Sequence, residues 1–192
     1  MRLFIGIPLS DGLRAKVAAA ARDWRELAPD LKWVEPDLYH LTLQFLGEVD
    51  EADRAALAHG LAELAGRPGF TLRLGGAMTL PRGRRARVLA LGVTRGWEEL
   101  AALAGAVTEA TGRLDFPREE RAFKSHLTLA RARRGQSLPR ALDPRRLAAP
   151  ELPPLDVREF HLFESQLRPD GPLYASLARV ELVAPPPELG SL

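Results

Sequence analysis

Two stretches of this chain share one tetrapeptide: His40-Leu41-Thr42-Leu43 and His126-Leu127-Thr128-Leu129. In a strand, residues i and i+2 point to one side. Each His therefore stands beside its Thr, with the Leu pair anchored in the core behind them. Two imidazoles facing one cavity suit acid–base work on a phosphodiester. A neutral His takes a proton from water while an imidazolium gives one to the departing alkoxide; an ordinary imidazole pKa of ~6.5 allows both forms. The hydroxyls of Thr42 and Thr128 can donate to non-bridging phosphate oxygens, where charge grows in the transition state. Zinc wants three or four ligands, and neither strand supplies a third at suitable spacing, so no metal and no other cofactor is expected. The other two histidines, His59 and His161, have no counterpart and read as structural or solvated.

The elements that must carry these motifs also repeat. Arg2–Pro8 alternates as a strand. Ser10 can cap a helix over Asp11–Leu27, with Leu13, Val17, Ala20 and Trp24 at helical spacing, and His40–Leu46 is a strand ended by Gly47. A helix over Asp50–Ala65, with Ala55, Leu57, Leu61 and Leu64 on its apolar face, and a strand over Phe70–Leu74 follow. The first order then recurs: strand Arg87–Val93, helix Trp97–Thr111, strand His126–Arg131. An Arg- and Pro-rich loop leads to two last strands, Val157–Leu167 and Tyr174–Val183, joined by a turn at Pro169–Pro172. The pattern is an α+β fold of antiparallel sheet backed by helices, built from a duplicated half-domain. One two-lobed domain over residues 1–184 and a peripheral tail over 185–192 are expected.

The chain's 192 residues suit one such domain, and 46% hydrophobic content can fill its core. Basic residues number 27 and acidic 25, a net charge of +2. The isoelectric point of about 9.4 reflects a flat charge curve, not strong polyanion binding. Cysteine is absent, which removes disulfides, thiolate nucleophiles and Cys-ligated metal centres. No apolar run approaches the ~18 residues of a membrane span, so a cytoplasmic monomer without membrane contact is expected. Gly75-Gly76 and the Gly66–Gly69 stretch fit neither nucleotide-loop pattern.

The two His–Thr motifs resemble those of the 2H phosphoesterase superfamily. The whole chain resembles the bacterial and archaeal RNA 2',3'-cyclic phosphodiesterases, also called 2'-5' RNA ligases. The likeness rests on MRLFIGIPL, LKWVEPDLYHLTLQFLGEV, RVLALGV, RAFKSHLTLARA and LFESQLRPDGPLYASLARVEL, in that order. It implies two lobes related by a pseudo-two-fold axis with the catalytic cleft between them. It also implies His40 as proton donor to the departing 3' oxygen, His126 as the base that activates water, and a 2'-phosphomonoester product. By the same resemblance Arg131 lies near the phosphate, and Phe4, Phe45 and Phe123 surround the cleft and support or stack the terminal base. The partner would be RNA ending in a 2',3'-cyclic phosphate. Alternatives are 2'-5' ligation of tRNA half-molecules and a non-catalytic module that binds nucleotides or RNA ends. The chain departs from the family pattern at Ser125, where Pro is common, at Ala90, where Trp is usual, and at Tyr39, in place of Leu or Val.

Of the basic residues, 24 are Arg. Arg82, Arg84, Arg85 and Arg87 cluster between two strands and read as a solvated hairpin tip; Arg131, Arg133 and Arg134 follow the second motif. Period two turns Arg131 to the side opposite Thr128 unless the strand bends, whereas the resemblance turns it inward.

Overall fold

A computed structural model describes residues 1–116, 122–168 and 171–185. Arg121 of the second motif's approach, Pro169 and Asp170 of the expected turn, and the expected tail beyond Pro185 lie outside the described residues. The first half runs β1 (Arg2–Pro8), α1 (Asp11–Leu27), β2 (Lys32–Trp33), β3 (His40–Glu48) and α2 (Glu51–Ala62). The second runs β4 (Phe70–Leu80), β5 (Val88–Arg95), α3 (Trp97–Gly112) and β6 (His126–Arg131). Three strands close the chain: β7 (Leu155–Val157), β8 (Glu159–Arg168) and β9 (Gly171–Glu181).

Among the described residues all nine strands join one curled sheet, in the order β7-β4-β5-β6-β3-β1-β8-β9, with β2 beside β6. The named pairings are antiparallel. The order is its own mirror about the β3–β6 seam. Each motif strand pairs with the strand that precedes its half's long helix, β1 before α1 or β5 before α3, and two further strands extend each lobe outward. The α+β fold and the duplication expected from the repeated element order are both present.

The helices cover one face of the sheet. Leu41, Leu43, Leu127 and Leu129 enter the core there, with Leu3, Ile5, Ile7, Leu89 and Leu91 from the neighbouring strands. From α1 come Leu13, Val17, Ala21 and Trp24. Ala21 is buried where Ala20 is expected, and Ala20, on the same side of the helix, is half-buried. Ser10 accepts from the Leu13 N–H, as its capping role requires. The second helix is shorter than its pattern, starting after Asp50, and it buries Leu57 and Leu61 while Ala55 stays exposed.

Three boundaries differ for reasons of local geometry. The strand at Phe70 does not stop at Leu74; it continues through Gly75-Gly76, where the pairing skips from Leu74↔Val93 to Ala77↔Leu91. Glycine permits the irregularity, so a pair that looks like a turn is a bulge. Gly47, expected to end β3, likewise sits within it at φ 77°. The strand expected over Val157–Leu167 is β8, while its first residue, Val157, belongs to β7 at the far edge of the sheet. There β7 pairs with β4 in the second lobe, while β8 pairs with β1 in the first. Alternation identifies extended residues but not which edge they join.

One buried polar contact ties the halves together. Thr111 Oγ1 on α3 donates to Gln44 Oε1 on β3 at 2.9 Å, and both side chains are buried. Thr111→Val or Gln44→Met alone is expected to cost ~1–3 kcal/mol, whereas the double variant costs less than the sum because neither strands a buried partner. Urea midpoints at unchanged m-value measure the cycle; strict additivity would show that the contact contributes nothing.

Candidate active site

At the seam, β3 and β6 share one registered pair, Leu41↔Leu127. Antiparallel register then sets His40 across from Thr128 and Thr42 across from His126, all on the face opposite the Leu pair. The two histidines lie on the diagonal of this square, a spacing of about 7–8 Å between backbone positions. Beyond the seam β2 takes over the edge of β6, through Trp33↔Ala130 and Lys32↔Arg131. On the other side of the seam a cleft is lined by Thr42 and Phe45 from β3 and by Phe123, Lys124 and His126 from the entry to β6.

Both imidazoles are tethered alike. His40 Nδ1 lies 2.8 Å from Leu38 O, and His126 Nδ1 lies 2.6 Å from Lys124 O. A carbonyl can only accept, so Nδ1 carries the proton in each ring, and Nε2 is the nitrogen available for substrate. Burial lowers both pKa values from the ordinary imidazole range, partly opposed by these hydrogen bonds. The Arg131 charge lowers both further; His126 adds to the effect on His40, and Lys124 to that on His126. One guanidinium thus faces both rings.

Arg131 faces inward because of a bulge. Along β6 the partners on β5 run Gly92↔His126, Leu91↔Leu127, Ala90↔Thr128, then Leu89↔Ala130 and Val88↔Arg131. Leu129 is the extra residue. It and Ala130 are both buried, the alternation resets, and Arg131 returns to the side of Thr128. The first motif does the same: Gly6↔Thr42 is followed by Ile5↔Gln44 and Phe4↔Phe45, with Leu43 extra. Phe45 therefore returns to the side of Thr42. The fifth residue after each His comes back to the cleft, an aromatic in one lobe and a cation in the other.

The aromatic side chains divide into support and surface. Phe4 is only 3% exposed; its ring centroid lies 4.7 Å from that of His40, and it also contacts Phe45, Phe163 and Tyr174. It props His40 and offers no face to a base. Phe45, 60% exposed, and Phe123, 37% exposed, line the cleft with Thr42, Lys124, His126 and Arg131. The cavity, about 1430 Å³, has room for a nucleotide and extends to Ala101, Ala104 and Thr108 of α3; His40 and Thr128 are not among the described residues that line it. Gly6 allows the close approach of β1, since a Cβ there would lie 2.9 Å from Leu41 O and 3.3 Å from His40 Cδ2.

Sequence reasoning missed two residues. Tyr174 packs edge-on against His40 at 5.3 Å, and burial raises its pKa. It reaches the site from the outer strand β9, which no local pattern reveals. Lys124 lies two residues before the second His, and its proximity follows only from the tether through its carbonyl. Of the unrepeated histidines, His59 is solvent-exposed on α2. His161 is held between Ser176 Oγ at 2.9 Å and Glu159 Oε1 at 3.0 Å. Among the described residues no three His, Asp or Glu side chains are grouped so as to hold a metal.

Comparison with known proteins sets this geometry in a family. The sequence pattern of the 2'-5' RNA ligase superfamily matches residues 13–168. The RNA 2',3'-cyclic phosphodiesterase of Archaeoglobus fulgidus is 35% identical over 178 residues, covering 92% of this chain and 98% of that protein. That of Thermus thermophilus is 34% identical over 198 residues, covering 95% and 90%. Among solved structures, E. coli LigT complexed with 3'-AMP superposes at a TM-score of 0.75 with 30% identity, covering 94% of this chain and 97% of that one. LigT complexed with phosphate superposes at 0.70. With its paired His–Thr strands, its mirrored sheet and a match over most of its length, this chain belongs to the 2'-5' RNA ligase superfamily.

Proposed function

We propose that this chain hydrolyses RNA 2',3'-cyclic phosphate ends to 2'-phosphomonoesters, with His40 and His126 as the acid–base pair and no metal in the chemical step. The observation that carries this reading is the matched tether, which leaves Nε2 of both rings for substrate on one face of the seam. Relatives named RNA 2',3'-cyclic phosphodiesterase, and LigT with 3'-AMP or phosphate bound, support the substrate class.

In this mechanism His126 Nε2 takes a proton from the water that attacks phosphorus. The bond from phosphorus to the 3' oxygen breaks, His40 Nε2–H gives its proton to that oxygen, and the phosphate stays on the 2' oxygen. Attack and departure lie on opposite sides of phosphorus, which suits two histidines on a diagonal. Thr42 and Thr128 occupy the other diagonal and donate to the non-bridging oxygens, while Arg131 offsets their charge. The terminal base lies against Phe45 and Phe123. In 2'-5' ligation a 5' hydroxyl would take the place of water, with the same two proton transfers in the same direction.

The test is an oligoribonucleotide ending in a 2',3'-cyclic phosphate, incubated in EDTA. A 2'-phosphate product is expected. A 3'-phosphate product, or EDTA inhibition reversed by zinc or manganese, would overturn the mechanism. His40→Ala and His126→Ala should each lower turnover by ~10²–10⁴. A nitrophenolate leaving group, which departs without protonation, should rescue His40→Ala and not His126→Ala; the opposite pattern would exchange the roles.

The pH profile follows from the lowered pKa values. Catalysis needs one neutral and one protonated His, and in the free enzyme both titrate below the ordinary value of about 6.5. The profile of kcat/KM should therefore peak on the acid side of 6.5 and fall through neutrality as the donor loses its proton. That of kcat should peak at higher pH, because bound phosphate offsets Arg131. Arg131→Gln removes a charge that lowers both rings, so its kcat/KM optimum should move up while kcat falls. An unmoved optimum would place the guanidinium outside the field of the pair.

A further inference from the structure

Arg82, Arg84 and Arg85 lie at the tip of the β4–β5 connection, and this hairpin is fixed beside the catalytic strand. Arg87 N–H donates to Leu80 O at 2.9 Å, closing the hairpin; Ala132 N–H donates to Arg87 O and Leu138 N–H to Ala86 O, each at 2.8 Å. Arg133 Nε donates to Asp30 O at 2.9 Å on the other flank. The tip is thus stapled to the segment that leaves β6, directly after Arg131. Arg87 and Pro81 line the same cavity as Thr42 and His126, so the hairpin borders the cleft.

The charge here is local, not a property of the whole chain. Neither Met78–Val88 nor Thr128–Ala141 contains an Asp or Glu, yet together they hold Arg82, Arg84, Arg85, Arg87, Arg131, Arg133, Arg134 and Arg140. With a net charge of +2 for the full sequence, the remainder is net negative. Elsewhere arginines are commonly paired, as in Arg25–Glu35, Arg113–Glu63 and Arg179–Glu159. Among the described residues no carboxylate pairs with any arginine of these two segments. Eight like charges kept together without counter-charges repel one another, and a polyanion relieves that repulsion.

We propose that this arginine rim holds the phosphate backbone of the RNA on the 5' side of the cyclic end, so that the preferred substrate is an oligonucleotide rather than a mononucleotide. The inference rests on the reading that the cleft takes a 2',3'-cyclic phosphate end. Such an end terminates its strand, so the rest of the RNA leaves the cleft in one direction. The terminal base lies against Phe45 of the first lobe and Phe123 at the mouth of the second, and the second lobe continues from Arg131 through Arg87 to the hairpin tip. Exposed guanidinium groups reach phosphates and carry little base information, which gives length dependence without sequence preference.

The experiment compares Arg82→Ala/Arg84→Ala/Arg85→Ala with wild type on two substrates: a mononucleoside 2',3'-cyclic phosphate and a 12-nucleotide RNA with the same end. All three residues are exposed. For the oligonucleotide, KM should rise on the order of tenfold at low salt. The slope of log(kcat/KM) against log[salt] should flatten by about 2, at ~0.7 per phosphate contact on a single strand. Kinetics on the mononucleotide should be unchanged, and a triple Arg→Lys variant should retain the steep slope because a point charge suffices. Equal effects on both substrates, or an unchanged oligonucleotide slope, would overturn the rim. Binding of the same RNA ending in a 2'-phosphate, followed by anisotropy, separates this claim from the proposed reaction. If wild type hydrolyses neither substrate yet binds this RNA with a slope that the triple Ala variant flattens, the reaction fails and the rim stands. If hydrolysis proceeds and that slope does not change, the rim fails and the reaction stands.

Discussion

The Leu41–Leu127 pair joins the motif strands of the two halves, and it fixes the face on which every proposed catalytic group appears. Both leucines are essentially inaccessible to solvent, so the core holds the register from behind. A slip of one residue would turn His40 and His126 into that core and the leucines into the cleft, at several kcal/mol for each exchanged pair. Hydrophobic burial thereby specifies a polar square of two histidines and two threonines that makes no hydrogen bond across the seam. The seam must also be short. Val34 N–H donates to Leu129 O, so the segment that follows β2 pairs with β6 just where β3 departs.

The sequence made the repeat legible because it is written in side chains: the same four residues, the same preceding strand and helix, the same alternation. The bounds of β1, α1 and β6 follow it residue for residue. The two bulges are written in the backbone. Leu43 and Leu129 are ordinary strand residues, and only pairing with β1 and β5 shows each to be supernumerary. A strict count of two therefore turns Arg131 away, whereas the strand turns it in. Contacts made across the sheet, such as Tyr174 on His40 or Phe163 on Phe4, depend on the order of strands, which alternation alone does not contain.

The field within the cleft is set against the imidazolium. Burial is its largest source, and Arg131 acts on both rings in the same direction. An anionic substrate reverses the second contribution: a phosphate beside Arg131 cancels the charge that disfavoured protonation and places its own negative oxygens beside both rings. The proton needed for departure is then most stable when there is something to protonate. An empty cleft with one guanidinium and two imidazolium ions would be costly; a cleft with phosphate bound is close to balanced.

Duplication yields two equivalent histidines, but the reaction needs one acid and one base, so something must distinguish them. The fifth residue after each His differs, Phe45 against Arg131, and the surroundings follow suit. His40 packs on the faces and edges of Phe4 and Tyr174, with centroids 4.7 and 5.3 Å away. His126 has no aromatic contact among the described residues; its neighbour is Lys124, whose charge favours the neutral ring. Of the charges near the pair, Lys124 thus disfavours the imidazolium of His126 alone. That charge supports His126 as the acceptor, and with it His40 as the donor, on physical grounds independent of resemblance.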